Sequence, residues 1–200
     1  IEHMRATAPK DFAHIYGGEC VSEVEGAIFG AEYKLALADG RIGAVPYNRM
    51  KPVTTVWDLG FGDPTAIWFL QAYDGYYNFI DYLESTDETT ADYVIKLQNN
   101  GYAYDVDWVP HDSIDTIIHR KLNGTGDRSK SIEMLLRDAR RNVRVVPKLL
   151  ITDQINAARL FWNQCRFDAN RCADGLQALA HYSWDTRDAK PEELDPRPGK

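Results

Sequence analysis

A mixed α/β sheet with helices on its faces is the fold that the sequence predicts, and three observations predict it. Strand-like runs crowd between Thr54 and Leu83, separated by the short turns Leu59-Gly60-Phe61-Gly62-Asp63-Pro64 and Asp74-Gly75. Downstream, segments of helical period alternate with short β-branched runs, the pattern of helices returning the chain to a sheet. The chain of 200 residues is 44% hydrophobic and 12% aromatic, enough for one buried core and too apolar for disorder.

The elements follow in order. Up to about residue 24 there are helix-compatible pieces and the aromatic string Phe12, His14, Ile15, Tyr16, and Gly26-Ala27-Ile28-Phe29-Gly30 is a short strand candidate. Gly40, Gly43, Pro46 and Pro52 then punctuate the chain. Residues 1–50 are therefore read as a connecting region and peripheral strand, and 51–200 as the main domain. Strands are expected at about 54–59, 66–73 and 76–83, forming an antiparallel meander. Ser85 with Glu88 suggests a capping box for a helix striped by Val94, Ile95 and Leu97 and stopped at Asn100-Gly101. A fourth strand, about 104–109, alternates Tyr104, Val106 and Trp108 on one face, and Asp112 continues the Trp108 face beyond Pro110.

Ile132, Leu135, Leu136 and Ala139 stand at i, i+3, i+4 and i+7, which predicts an amphipathic helix over 132–141 with Arg137, Arg140 and Arg141 off its buried stripe. A fifth strand over 143–146 stops at Pro147. Ile151, Ile155, Ala158 and Trp162 mark a further helix, and Leu176, Leu179 and Ala180 a short one. From Thr186 on, the polar, Pro-containing string reads as a loop or tail.

Composition excludes some functions. No apolar run approaches the roughly 20 residues that span a bilayer, and the N-terminal stretch, broken by Glu2, Arg5 and Pro9, lacks a signal-peptide centre. No membrane partner is expected. Cys20, Cys165 and Cys172 form no CxxC pair, which suits a reducing cytoplasm and buried or idle thiols. The net charge of −7 argues against a simple nucleic-acid binder, but residues 119–148 carry nine basic residues against three acids, a local +6 that leaves −13 for the rest. That segment is either the solvated face of a helix and its loops or a phosphate-facing strip beside an acidic site.

The residue that most needs explaining is Asp58. A carboxylate inside an otherwise apolar strand costs several kcal/mol to desolvate unless it is paired, hydrogen-bonded or holding a metal. Asp112 is a second such acid, with capping of a loop as its plainer role. The two converge only if the first and fourth strands are neighbours, as the ribonuclease-H-like topology provides. Asp63 in Asp-Pro fits ordinary turn chemistry better than an accessory metal role, and His111 fits a backbone-bonded loop histidine. Gly124-Thr125-Gly126-Asp127-Arg128-Ser129-Lys130-Ser131 fails as a phosphate loop, because Ser129 stands where glycine is required.

The string Val56-Trp57-Asp58-Leu59-Gly60-Phe61-Gly62-Asp63-Pro64-Thr65-Ala66-Ile67-Trp68 resembles the start of the nuclease domain of tailed-phage (prophage) terminase large subunits. Further pieces agree in order: Ala13-His14-Ile15-Tyr16-Gly17-Gly18-Glu19, Val109-Pro110-His111-Asp112, the 124–133 loop and helix, Ile155-Asn156-Ala157-Ala158-Arg159, and Cys172-Ala173-Asp174-Gly175-Leu176-Gln177-Ala178-Leu179. The resemblance implies a ribonuclease-H-like mixed sheet, three antiparallel strands followed by parallel ones, in an endonuclease that cuts double-stranded viral DNA concatemers. It places the catalytic and metal-binding acids at Asp58 and Asp112, with Asp63 as a further metal candidate. The cofactors implied are two Mg²⁺ or Mn²⁺ ions, since hard cations prefer oxygen ligands and two of them can share the charge on attacking and leaving oxygens. Family members add a further acid on a late helix. It is expected beyond Lys200, so the domain is expected to be incomplete at its C-terminal end, and neither Asp185 nor Asp188 is expected to replace that acid.

Arg120, Lys121, Arg128 and Lys130 are candidate DNA contacts. The implied partners are double-stranded DNA, an ATPase domain upstream, a small terminase subunit and a portal, in the cytoplasm of the bacterial host. Two alternatives stay open: a transposase- or resolvase-like nuclease of the same fold, and a non-catalytic DNA- or motor-docking module.

Overall fold

The computed structural model describes residues 26–60, 63–115 and 130–184. Its centre is a seven-stranded sheet of β1 (Ile42–Gly43), β2 (Val53–Asp58), β3 (Thr65–Tyr73), β4 (Tyr76–Ser85), β5 (Tyr104–Val109), β6 (Val143–Val145) and β7 (Cys165–Asp168), in the order β1-β7-β4-β3-β2-β5-β6. β3 pairs antiparallel with both β2 and β4, and the other pairings are parallel. The predicted meander and the adjacency of the first and fourth predicted strands (β2 and β5) are both present.

Helices α1 (Gly30–Ala38), α2 (Thr90–Asn99), α3 (Ile132–Asp138), α4 (Ile151–Trp162) and α5 (Ala173–His181) divide between the two faces of the sheet. On one face Tyr93, Val94 and Leu97 of α2 and Ile132 and Leu136 of α3 join Val53, Trp57, Ile67, Phe69 and Val109 in one buried cluster. On the other, Ala36 of α1, Ile155 and Trp162 of α4 and Leu176 of α5 pack with Leu70, Phe79 and Phe167. Gly175 lets α5 lie flush on the sheet, since a Cβ there would come within 2.5 Å of the Trp68 ring and 2.7 Å of Tyr82.

Five local readings are corrected. The strand candidate at 26–30 is a single bridge from Ala27 to Ser183 followed by α1, because Ile28 and Phe29 are buried as packing residues, with Phe29 stacked on Trp162 and Tyr182. β4 runs through Ser85, so the capping box of α2 falls instead on Thr89 and Asp92. α3 ends at Asp138, three residues short of prediction, because Arg140 adopts a left-handed φ of 61° that closes the helix. A register shift between Val53 and Thr55 bulges β5, which puts Tyr104 on the α2 face and Trp108 on the opposite one. β7 and its partner β1 were not predicted: four and two residues are too short for a periodicity to register.

Cys165 and Cys172 are buried free thiols, and burial pushes the Cys165 thiol up to about 12. Cys20 and the 124–129 loop lie outside the described residues. Among the described residues, no helix is long and apolar enough to cross a membrane.

Candidate active site

Asp58 is the last residue of β2, the strand with an antiparallel neighbour on one side and a parallel neighbour on the other. Asp112 follows β5, whose register with β2 pairs Thr55 with Asp107 and Val56 with Trp108. Both acids therefore sit at the carboxyl ends of adjacent parallel strands, where open α/β sheets collect their ligands. Pro110 stops β5, and the chain turns at once into the 3-10 turn His111–Ile114, with Ser113 N–H on Pro110 O at 3.0 Å and Asp115 N–H on Asp112 O at 2.8 Å. That turn carries Asp112 back over the end of the sheet.

The electrostatics bind these residues together. Burial raises the Asp58 carboxyl above its ordinary value, and the charges of Asp112 and Asp63 raise it further. Asp58 opens to solvent at the strand end while protein crowds its inner side, so both effects act on one group. Oδ1 of Asp112 is buried with no hydrogen-bond partner among the described residues, and so is Oγ of the adjacent Ser113. A buried carboxylate oxygen left unbonded costs free energy that a cation would recover. By this test the Asp58 and Asp112 carboxylates fit a hard divalent ion. Among the described residues no group of three or more His, Cys, Asp or Glu stands together to hold one.

Asp63 reaches the site through Gly60. A Cβ at Gly60 would lie 1.9 Å from the Asp63 carbonyl oxygen and 2.5 Å from that of Pro64, so only glycine lets the chain double back. Gly60 N–H also bonds Oγ1 of Thr65 at 3.3 Å. Two tyrosines stand on the same side. Burial raises the Tyr82 phenol, helped by Glu84, Asp58 and Asp174, and burial followed by the Asp58 charge raises Tyr182. His111 is exposed beside Asp112.

Of the candidate DNA contacts, Arg120, Lys121 and Arg128 lie outside the described residues, as do Asp185 and Asp188. Lys130 pairs with Asp138 at 2.6 Å. The basic strip is largely committed to the fold: Arg137 bonds Glu133 at 2.9 Å and Val143 O at 2.8 Å. Arg141, expected off the buried stripe, is itself buried, gripping Asp107 at 2.5 and 2.7 Å against the Tyr104 ring. Sequence reasoning missed Asp107, although the test that picked out Asp58, an acid inside an apolar strand, picks it out too. Thr55 donates to the same carboxylate, and Trp57 Nε1 donates to Thr55 Oγ1 at 2.8 Å, so this network ties β2 to β5 on the face away from Asp58.

Strand order, the meander and the paired acids at the strand ends define the ribonuclease-H-like nuclease fold. Within that class the chain carries the fold of the large-terminase nuclease domains. It superposes on the whole large terminase of a thermophilic bacteriophage with a TM-score of 0.62 at 15% identity, over 88% of this chain and 41% of that one. For the P22 large terminase nuclease domain the TM-score is 0.52 at 15% identity, over 78% of this chain and 82% of that one. For the large terminase nuclease of the thermophilic phage G20c with bound cobalt it is 0.51 at 16% identity, over 80% and 81%. The chain thus spans less than half of the first of these proteins and most of the two isolated nuclease domains. No family model and no curated protein matches the sequence.

Proposed function

We propose that this chain is the metal-dependent endonuclease domain of a phage DNA-packaging terminase, cutting double-stranded concatemeric DNA by two-metal phosphodiester hydrolysis. The observation that carries the reading is the meeting of Asp58 with Asp112, whose Oδ1 is buried and unbonded, at the ends of adjacent strands. Asp58, Asp112 and, less centrally, Asp63 would hold Mg²⁺ or Mn²⁺, with the remaining ligand outside the described residues. The cobalt in the G20c nuclease supports a divalent ion. When bound, the metals supply a hydroxide nucleophile near neutral pH and spread the charge that builds on the phosphate.

The residues of the chain do the rest. The β2–β5 register fixes the spacing of Asp58 and Asp112, and the Gly60 turn fixes Asp63 beside them. The crowding that raises the Asp58 carboxyl also lets an opposite charge act there with less solvent screening. Asp107 and Arg141 take no part in the chemistry and hold the two strands in register from beneath. In the whole protein an ATPase domain would precede this one, and a small subunit and portal would deliver it to DNA in the host cytoplasm.

The test is Mn²⁺-supported cutting of supercoiled plasmid by the full-length protein. Asp58→Asn and Asp112→Asn should each abolish it, and retained cutting by both variants would end the proposal. A transposase- or resolvase-like enzyme would instead prefer branched over linear duplex.

A further inference from the structure

The sheet register sorts side chains around Asp58 by charge. On the face that Asp58 occupies, the next cross-strand row runs Tyr82, Trp68, Val56, Trp108, Arg144 from β4 to β6. The β4 and β7 half of this face is covered by α1, α4 and α5. The β2, β5 and β6 half is open: Val56, in the middle of a seven-stranded sheet, keeps 36% of its surface exposed. Arg144 is exposed there and lies over the Trp108 ring, 5.6 Å from its centroid. Among the described residues no carboxylate pairs with Arg144, whereas Lys130, Arg137 and Arg141 all have acidic partners. Lys148, also exposed, follows β6 at the end of the sheet where Asp58 lies.

The opposite side of Asp58 is acidic. Its own row continues through Ala66 to Glu84, which is exposed and accepts the Tyr82 hydroxyl at 2.5 Å. A polyanion crossing the acids is therefore repelled from the β4 side and attracted on the β6 side. Resting on the nuclease reading, we propose that the open half-face of β2, β5 and β6 receives the DNA backbone, with Arg144, braced by Trp108, contacting a phosphate near the bond cut at Asp58. Two strand spacings and one two-residue step put the Cα atoms of Asp58 and Arg144 roughly 12 Å apart, a few base steps along a strand. A guanidinium stacked on an indole is pre-aimed, so it loses little freedom when it meets a phosphate.

The experiment is binding of a short labelled duplex to the full chain, followed by fluorescence anisotropy over a range of salt. Arg144→Gln should weaken binding by about 3- to 10-fold and lower the slope of log affinity against log salt by about one. Arg144→Lys should keep most of the slope, Glu84→Gln should tighten binding, and Arg137→Gln should change neither quantity. Equal affinity and slope for Arg144→Gln and the parent would overturn the inference, and that is the outcome if the face serves a protein segment instead of DNA. A parent that binds no duplex would overturn it too. Failure of the nuclease reading is separate: it shows as plasmid cutting that survives both Asp58→Asn and Asp112→Asn.

Discussion

Two strand acids one register step apart teach opposite lessons. Asp107 in β5 faces the α2–α3 side and is spent completely: Arg141 holds both its oxygens, and Thr55 adds a third bond. Asp58 in β2 faces the other side, makes no hydrogen bond or ion pair among the described residues, and has its carboxyl raised by burial and two neighbouring acids. One carboxylate has its cost met inside the fold. The other waits for a partner that the described fold does not supply. Asp168 and Asp81 belong with Asp107. Asp168 caps the turn after β7 with three backbone N–H groups, and Asp81 is bound by Tyr102 and Arg171. Asp112, with its unbonded oxygen, belongs with Asp58.

The contrast breaks first on stability. Removing one partner of a buried ion pair strands the other, so Arg141→Met should cost about 3–5 kcal/mol. Thermal denaturation should register it as a drop of about 10 °C for a domain of this size. Asp112→Asn, measured in the same way, should leave stability unchanged or improved.

A smaller effect is expected at the loop that delivers Asp63. Gly60→Ala forces a methyl group against backbone, and strain of this kind costs about 1–3 kcal/mol. Urea unfolding measures it, and a change below that range would mean that the turn is looser than its contacts indicate.

The smallest effect has a definite sign with pH. Because the Asp58 carboxyl is raised in the folded state, folding takes up a proton there, and its contribution to stability falls as pH rises from the unfolded carboxylate value through the folded one. Asp58→Asn removes that penalty. It should be more stable than the parent at neutral pH, with the difference closing as pH falls below the carboxylate range. A difference that grows toward acid would contradict the assignment.

Most of the frame was legible in the sequence because its signals are long. β3 and β4 run for nine and ten residues around turn dipeptides, and α2 and α4 show clean apolar stripes. Asp58 was legible because the energetics of a carboxylate in an apolar strand are local. The same rule applied to Asp107 could flag the acid but not its partner, since Arg141 lies 34 residues on. Whether a strand acid is satisfied depends on what the fold brings from elsewhere. The basic strip shows the same limit: composition counted its charges, and only the structure separates Arg137 and Arg141, held in the fold, from Arg144.

The claim that Asp58 and Asp112 form a metal site and Asp107 does not is tested most directly by titrating Mn²⁺ into the chain and following its thermal denaturation. Binding to the folded state raises stability by mass action, about 2.7 kcal/mol at one hundred times the dissociation constant. The parent should gain melting temperature with Mn²⁺, and Asp58→Asn and Asp112→Asn should lose the gain. Arg141→Met should melt lower yet keep the shift. A parent that does not respond, or acid variants that respond as the parent does, would contradict it.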